Sequence, residues 1–255
     1  MGWGDEIIVT GQARLLQQQN PGKVVVYDRA GRIRWHEIWR NNPRIVSPAD
    51  RPHRPQMLIN GPGVRPYIAA KTPERWTWKD WACPVGEIHF SAGELAFAAQ
   101  HSPGVVIEPV LKAKASPNKD WGRANWTALA ALLRAAGMEP CQIGPPGTQL
   151  LPGVRLIEAP GFREACAVLA RARAAVLPEG GLHHAAAALG VKTVVIFGGY
   201  ISPRQTGYDS QVNLFTGGTA CGMRTPCRHC AQAMAAIAPD QVQERVAALL
   251  RESDR

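Results

Sequence analysis

Long apolar runs are missing from this sequence. None of its segments approaches the roughly 18 consecutive apolar residues that mark a membrane-spanning helix. The opening residues, Met-Gly-Trp-Gly-Asp-Glu, provide neither a basic leader followed by an apolar stretch nor the Ser or Thr of a myristoylation signal. Internal repeats and low-complexity segments are absent too. We therefore expect a globular cytoplasmic protein that does not insert into a membrane.

Acidic residues are scarce relative to basic ones. The chain has 20 Asp and Glu against 29 Lys and Arg, which gives a formal net charge of +9. Twelve basic residues and four acidic ones lie between Lys23 and Lys79, with several tryptophans among them. A basic surface with interleaved aromatic rings favours polyanionic partners such as DNA, whereas Arg and Trp also form ordinary packed surface. If this surface binds a polyanionic partner that serves as the acceptor in a reaction, five residues are predicted to contact it: Arg32, Arg34, Trp35, Arg75 and Trp76.

A glycine-rich dinucleotide fingerprint is also missing. No G-x-G-x-x-G follows a strand-like segment with an acidic residue about 20 positions later. A dinucleotide-dependent oxidoreductase is therefore disfavoured.

The pattern of apolar and polar residues changes near residue 100. Before this point, apolar runs at 23–27 and 56–60 predict buried strands separated by connections rich in Pro, Gly and Arg. Beyond it, strand-like runs (105–108, 139–143, 174–177, 193–197) alternate with helical patterns (125–136, 162–172, 182–189, 241–251). Such alternation predicts a parallel sheet covered by helices. The fold class is therefore α/β, with a small N-terminal lobe at 1–100 and a C-terminal lobe at 101–255 that includes a closing helix.

The strongest local signal is Pro178–Ala185, where a predicted strand ends and a helix begins. Exposed backbone N–H groups and the positive end of a helix dipole favour phosphate there, and Gly180 and Gly181 let a diphosphate approach without a Cβ in the way. We predict that Glu179 and both glycines contact a phosphorylated ligand, and that His184 contacts its phosphate. The alternative is a tight glycine turn with ordinary polar histidines. The two adjacent histidines diverge by roughly 100° around a helix, so they are poor partners in one metal site.

A second basic element lies between the first strand of the C-terminal lobe and its first helix. It contains Lys112, Lys114, Ser116 and Lys119. Three lysines this close can neutralise a departing diphosphate, although a solvated surface loop has the same composition. We predict ligand contacts for Lys112, Ser116 and Lys119. Gly144, which opens a Gly-Pro-Pro-Gly segment after the next strand, is predicted to join them.

The N-terminal segment supplies a candidate base. Gly2-Trp3-Gly4-Asp5 opens a helix-like segment over 7–19, which places Asp5 near a helix N-terminus. A carboxylate that faces a cleft between two lobes can accept a proton from an attacking hydroxyl. The alternative is a helix N-cap, a role that Asp fills often.

The cysteines predict reduced thiols. Cys221, Cys227 and Cys230 form a C-x5-C-x2-C cluster, and nothing signals an oxidising compartment. Three thiolates with His229 form a weak zinc candidate, because adjacent His229 and Cys230 are an awkward pair of ligands for a tetrahedral site. No metal is therefore assigned.

Taken in order along the chain, these segments resemble glycosyltransferase family 9, the heptosyltransferase-like enzymes of the two-domain GT-B fold. The family's opening Gly-x-Gly-Asp is similar to Gly2–Asp5, and its Ser-x-x-Lys-x-Trp-like segment is similar to Ser116–Trp121. Its motif Asp-Ser/Thr-Gly-x-x-His-x-Ala-x-Ala-x-Gly matches Glu179–Gly190 without a gap. Phe197-Gly198 and a Cys-rich loop before the last helix follow, as in the family.

The resemblance implies two Rossmann-like lobes, with the acceptor on the reduced N-terminal lobe and a nucleotide sugar on the C-terminal lobe. It implies that Asp5 is the catalytic base and that Lys119 and His184 stabilise the leaving diphosphate. Glu179 and Gly180 replace the family's Asp and Ser/Thr, and only Met1 precedes the Gly-Asp loop, so the strand expected there is either absent or supplied otherwise. The donor sugar is therefore left open.

These features together predict an inverting, metal-independent glycosyltransferase that needs no cofactor and uses a UDP- or ADP-linked sugar as co-substrate. The basic N-terminal lobe favours DNA carrying hydroxymethylated cytosine, as in phage DNA modification, with extrusion of the target base. One alternative acceptor is the phosphorylated core of lipopolysaccharide. A third alternative is a non-catalytic module that binds a nucleotide sugar or nucleic acid.

Overall fold

The N-terminal half combines one long helix with two small sheets. The computed structural model describes residues 2–50, 54–61, 63–112 and 115–251. The regular elements of this half are α1 (Trp3–Gln19), β1 (Val24–Tyr27), β2 (Gln56–Ile59), β3 (Ile68–Lys71), β4 (Trp76–Trp78) and α2 (Ala92–Ala99). Strands β1 and β2 pair in parallel, and β3 and β4 form an antiparallel hairpin. This small, reduced sheet content agrees with the prediction for the N-terminal lobe.

The C-terminal half alternates strands and helices. Its strands are β5 (Val105–Ile107), β6 (Pro140–Gly144), β7 (Arg155–Glu158), β8 (Ala174–Pro178), β9 (Thr193–Gly198) and β10 (Val212–Phe215). Its helices are α3 (Arg123–Ala135), α4 (Phe162–Leu169), α5 (Gly181–Ala188), α6 (Pro203–Thr206), α7 (Arg228–Ala235) and α8 (Pro239–Arg251). The predicted α/β fold is confirmed.

The six strands of this half form one parallel sheet in the order β10-β9-β8-β5-β6-β7. The central strand β8 is buried along its whole length because helices cover both faces of the sheet. The direction of winding reverses between β5 and β8. Ligands bind at such a switch point, beyond the carboxyl ends of the strands.

The sequence pattern located most elements of the C-terminal half and missed others. All four predicted strands and all four predicted helices are present, although the helix predicted over 162–172 ends at Leu169. The hairpin β3–β4, helix α2 and the edge strands β7 and β10 were not predicted. Edge strands such as β7, with one buried residue out of four, lack the continuous apolar run that marks a central strand.

Both halves contribute to one hydrophobic core. This core contains Ile7, Val24 and Trp39 from the N-terminal half and Val106 and Cys166 from the C-terminal half, all almost completely buried. The division at residue 100 therefore separates two architectures that share a single buried core. Whether the two segments fold as separate domains stays a prediction.

A buried ion pair reinforces this junction. Arg163 of α4 donates from Nε and Nη2 to the two carboxylate oxygens of Glu94 in α2, at 2.5 and 2.8 Å. The other guanidinium hydrogens reach the carbonyls of Ile38 and His89, at 3.1 and 2.6 Å. Hydrogen bonds from Arg163 lower the pKa of Glu94 to about 2. The pair thus holds three segments of the N-terminal half against α4.

Replacing Glu94 by Gln should lower the free energy of unfolding by about 3–5 kcal/mol, because the guanidinium of Arg163 stays buried without its counter-ion. The folded pKa of Glu94 lies below its ordinary value of 4.5, so its stabilising contribution is complete above pH 4.5 and is lost as the pH falls towards about 2. Urea unfolding at neutral pH and across this acidic window measures both effects.

The matched control is Glu139→Gln. Its carboxylate forms an exposed ion pair with Arg155, with 2.6 Å between Nε and Oε1, and such pairs contribute at most about 1 kcal/mol. Equal losses for the two variants would contradict the structural role assigned to Glu94.

Candidate active site

A cleft of about 570 Å³ opens at the switch point between β5 and β8. The start of α1 and the β3–β4 hairpin form its N-terminal wall. All nine residues predicted to be catalytic or donor-binding line this cleft: Asp5, Lys112, Ser116, Lys119, Gly144, Glu179, Gly180, Gly181 and His184. Lys114 lies outside the described residues. The sequence motifs, which are far apart along the chain, therefore meet in one place.

The loop after β8 leads directly into α5 and presents its N-terminus to the cleft. Gly180 is open, because the nearest atom to a Cβ built there would be a backbone oxygen 3.8 Å away. Gly181 is enclosed: its Cβ would lie 3.2 Å from both Trp3 and Phe162. These two rings stack with centroids 4.4 Å apart. The loop therefore combines exposed N–H groups for an anion with a close aromatic support behind them.

His184 lies beneath the first turn of α1. It is 3% exposed, and a Cβ on Gly4 would come within 2.3 Å of its Cδ2. Cys83 Sγ donates to the hydroxyl of Tyr208, which lies 2.7 Å from His184 Nδ1. The hydroxyl proton of Tyr208 then points to Nδ1, which leaves Nε2–H as a donor on the side of Glu179. Burial holds the pKa of His184 well below its ordinary value, so it acts as a neutral hydrogen-bond donor.

The neighbouring His183 has a structural role. Its Nδ1 accepts from Gly180 N at 3.0 Å and its Nε2 lies 2.8 Å from the carbonyl oxygen of Thr206. Glu179, His183 and His184 offer ligand atoms within 4.8 Å of one another. Because both ring nitrogens of His183 already bind the backbone, this histidine is committed to shaping the loop.

Lys119 and Glu179 form an ion pair inside the cleft. Ser116 begins the 3-10 turn Pro117–Lys119, and its hydroxyl accepts from Asn118 N at 3.3 Å. Burial opposes ionisation of Glu179, but Lys119 outweighs it and holds the pKa of Glu179 below its ordinary value. Lys119 also lies 5.4 Å from the ring centroid of Tyr200. The ammonium group is thus fixed beside the loop that opens α5.

Asp5 is held from three directions. Its Oδ2 accepts from the backbone N–H of Gly2 at 3.2 Å and lies 3.1 Å from Arg65 Nη2, while Tyr67 donates to Oδ1 at 2.5 Å. Burial and the charge of Asp5 raise the pKa of Tyr67 well above its ordinary value, so Tyr67 remains a donor. Asp5 therefore binds the N-terminus of its own helix, but it does so from the third helical position, whereas the alternative predicted it as the N-cap residue, which is Gly2. The same carboxylate also lines the cleft.

The five predicted acceptor residues lie in different places. Trp76 lines the cleft, whereas Arg75 lies at the exposed end of the hairpin and contacts Met223. Arg32 pairs with Asp28 on the surface, and Arg34 donates to buried Glu6 at 2.5 Å. Trp35 packs edge-on against Trp39. Of the five, the structure brings only Trp76 to the other site residues.

Several site residues were missed by sequence reasoning. They are Arg65, Tyr67, Tyr200 and Arg224, all of which line the cleft, and Tyr208, which binds His184. Three cations surround the Trp76 ring, with Lys71, Arg224 and Arg65 at 4.9, 5.1 and 5.4 Å from its centroid. The basic composition of the N-terminal half indicated such a cluster. It did not identify which of the twelve basic residues between Lys23 and Lys79 contribute to it.

Replacing Gly4 by Ala tests the contact between α1 and His184. The added Cβ would overlap the imidazole, and overpacking of this kind costs about 1–3 kcal/mol. Gly93→Ala in α2 is the matched control, because a Cβ there meets no atom within 4 Å. We expect thermal unfolding to show a lower midpoint for G4A and an unchanged or higher one for G93A. A G4A protein as stable as G93A would contradict the packing.

Comparison with known proteins agrees with this geometry. The family model for glycosyltransferase family 9 (heptosyltransferase) matches residues 82–235. A glycosyltransferase family 9 structure from Veillonella parvula superposes with a TM-score of 0.64 at 14% identity, over 99% of this chain and 95% of that one. Comparison with curated proteins gives no match.

The ADP-heptose lipopolysaccharide heptosyltransferase II of E. coli has a TM-score of 0.50 and 21% identity, over 72% of this chain and 57% of the E. coli chain. The chain thus spans little more than half the length of that enzyme. None of the helices in the described part of the chain has the length and apolarity required to span a bilayer. Since the family model covers more than half of the sequence and the cleft assembles its motif residues, the chain belongs to glycosyltransferase family 9.

Proposed function

We propose that this protein transfers a sugar from a nucleoside-diphosphate sugar to a hydroxyl group of an anionic acceptor, with inversion at the anomeric carbon. One observation carries the proposal. The Asp5 carboxylate, the Lys119 ammonium and the N-terminus of α5 line the same cleft, with Asp5 contributed by the first turn of α1, which packs against the first turn of α5. This arrangement offers a base for the incoming hydroxyl and positive charge for the departing diphosphate.

On the donor side, the diphosphate would lie against Gly180 and the first N–H groups of α5. Lys119 and the His184 Nε2–H are placed to donate to its oxygens. Charge develops on the diphosphate as the bond from the anomeric carbon to the phosphate oxygen breaks, so these donors stabilise the transition state more than the bound donor sugar. Lys112, close to Gly2 across the cleft, adds a further positive charge. These groups provide the neutralisation that a metal ion supplies in other transferases, which supports a metal-independent reaction.

On the acceptor side, Asp5 would take the proton of the attacking hydroxyl as the new bond from oxygen to the anomeric carbon forms. Tyr67 and Arg65 fix the orientation of this carboxylate, and the buried position of Tyr67 keeps its proton in place. Attack of the deprotonated hydroxyl on the face of the anomeric carbon opposite the departing diphosphate would produce inversion.

An ADP-linked heptose is the donor we favour among the UDP- and ADP-linked sugars. The name of the E. coli relative specifies ADP-heptose, and the family match extends over most of the C-terminal half. Glu179 and Gly180, which replace the family's Asp and Ser/Thr, lie in this loop, so a panel of donor sugars is the appropriate substrate set.

An anionic saccharide, such as a phosphorylated lipopolysaccharide core, is the acceptor we favour over hydroxymethylated DNA. Arg65 and Arg224 line the cleft together with Trp76, and Lys71 lies near the same ring, so the three cations suit a few phosphate or carboxylate groups next to a sugar ring. Arg32 and Arg34, which the DNA hypothesis requires, pair with Asp28 and Glu6 instead. A duplex would need a broad basic surface, and these pairs neutralise part of it.

Replacing Asp5 by Asn should lower turnover by about 10²–10⁴-fold while donor affinity changes little, because the amide keeps the shape but cannot accept the proton. Mass spectrometry of acceptor saccharides after incubation with a donor panel measures turnover, and calorimetry measures donor binding. Asp80→Asn, at an exposed position, is the control and should retain full activity. Donor binding by the unaltered protein without turnover on any saccharide or DNA acceptor would favour a binding module and contradict the proposal.

Replacing Lys119 by Gln should weaken binding of a nucleoside diphosphate by about 10- to 100-fold, since a charge-assisted hydrogen bond contributes about 1.5–3 kcal/mol. Binding of the corresponding nucleoside monophosphate should change much less. The Gln amide retains a donor for Glu179, which protects the fold. Exposed Lys79, replaced by Gln, is the matched control. Equal losses for the diphosphate and the monophosphate would contradict a contact between Lys119 and the terminal phosphate.

A further inference from the structure

Four metal-ligating side chains converge on the loop between β10 and α7. The sulfur of Cys221 lies 3.0 Å from that of Cys230 and 3.8 Å from that of Cys227, and His229 Nδ1 lies 3.8 Å from Cys230 Sγ. One ligand atom from each residue lies within 4.8 Å of all the others. Tetrahedral coordination with zinc–sulfur bonds of about 2.3 Å places sulfurs just under about 4 Å apart. The separation between Cys221 and Cys227 matches this value, and that between Cys221 and Cys230 is shorter, so a bound ion would move these two sulfurs apart by somewhat less than about 1 Å.

The sequence argument against this set was too strict. Adjacent His229 and Cys230 lie at the start of α7, where Cys227 is the N-cap residue. The ring of His229 turns back towards the sulfurs because its Nε2 binds the carbonyl oxygen of Gly217 at 2.7 Å. A ligating histidine typically donates its second ring N–H to such a carbonyl, which fixes the tautomer and leaves the other nitrogen free for the metal.

Backbone N–H groups also approach the cysteine sulfurs. Met223 N lies 3.4 Å from Cys221 Sγ, and Cys230 N lies 3.5 Å from Cys227 Sγ. These N–H groups point at two of the three sulfurs and stabilise negative charge on them. The first turn of α7 directs its positive end towards the Cys227 side chain as well. Two of the three sulfurs thus have backbone donors that would stabilise their thiolate forms.

We propose that Cys221, Cys227, His229 and Cys230 bind one zinc ion that stabilises this loop. Three thiolates and one imidazole fill all four positions of a tetrahedral ion, so the site is closed and structural. The inference does not rest on the proposed function, because it depends on the ligand set alone.

The position of the loop shows what the zinc ion would stabilise. Asn118 Nδ2 donates to the carbonyls of Met223 and Thr225, both at 2.7 Å, and Cys227 N donates to Asn118 Oδ1 at 3.1 Å. The same loop accepts a hydrogen bond from Trp76 N at Gly222 O, at 2.9 Å. Fixing the loop therefore fixes both the turn that carries Lys119 and the hairpin that carries Trp76.

Metal analysis of the full-length protein purified without added chelator tests the site. Elemental mass spectrometry should find one zinc ion per chain, and Cys227→Ser should reduce the zinc content to near zero. Cys83→Ser is the matched control, because this cysteine lies outside the cluster, and it should retain the full zinc content. A folded, unaltered protein that contains no zinc and takes up none from solution would overturn the proposal. So would a disulfide between Cys221 and Cys230 in the folded protein, or iron as the bound metal.

Cobalt substitution gives a second test that does not depend on the folding of a cysteine variant. Co²⁺ added to the metal-depleted protein should produce thiolate-to-cobalt charge-transfer absorption and the visible bands of a tetrahedral ion. His229→Cys should retain one metal ion through a Cys₄ set, whereas His229→Ala should bind it more weakly by at least about tenfold. An unchanged affinity in His229→Ala would remove the histidine from the site and contradict the proposed ligand set.

Discussion

The contact of the first turn of α1 with the first turn of α5 is the constraint on which the site depends. Gly4 lies directly over the imidazole of His184, and Gly181 leaves space for Trp3. Because neither glycine has a Cβ, the two helices approach closely enough for their N-termini to share one cleft. This approach carries Asp5 from one half of the chain to the loop between β8 and α5 in the other. A larger residue at either position would separate the proposed base from the proposed donor site.

Two of the carboxylates that line the cleft each have their own cation. Asp5 pairs with Arg65, and Glu179 pairs with Lys119. The second pair occupies the loop where the sequence departs from its family, so Glu179 takes part in holding Lys119 as well as in any donor contact. Zinc at the neighbouring cysteine cluster would hold this same lysine-bearing turn from its other side. The ion pair with Glu179 and the anchoring of this turn would therefore both position the ammonium group of Lys119.

The sequence was informative where one continuous segment contains both the fold signal and the chemistry. Apolar strands that alternate with helices predicted the C-terminal sheet. The central strand β8 is buried throughout, and its apolar run therefore located the Gly180-Gly181 loop at the end of that strand. The N-terminal wall was less predictable. Tyr67 binds Asp5 from 62 positions away, and no local pattern encodes such a pairing. For the cysteine cluster, residue spacing does not reveal the ring orientation that the hydrogen bond to Gly217 gives His229.

The shared core has a consequence for how substrates enter. Swinging the two halves apart would expose Ile7, Val24 and Trp39 on one side and Val106 and Cys166 on the other, at a cost of about 25 cal/mol for each square ångström of apolar surface. The same motion would separate the guanidinium group of Arg163 from its counter-ion, the carboxylate of Glu94. A wide hinge motion between the two halves is thus unfavourable. Under the proposed function, donor and acceptor would enter the cleft through its existing opening, and the width of that opening would limit substrate size.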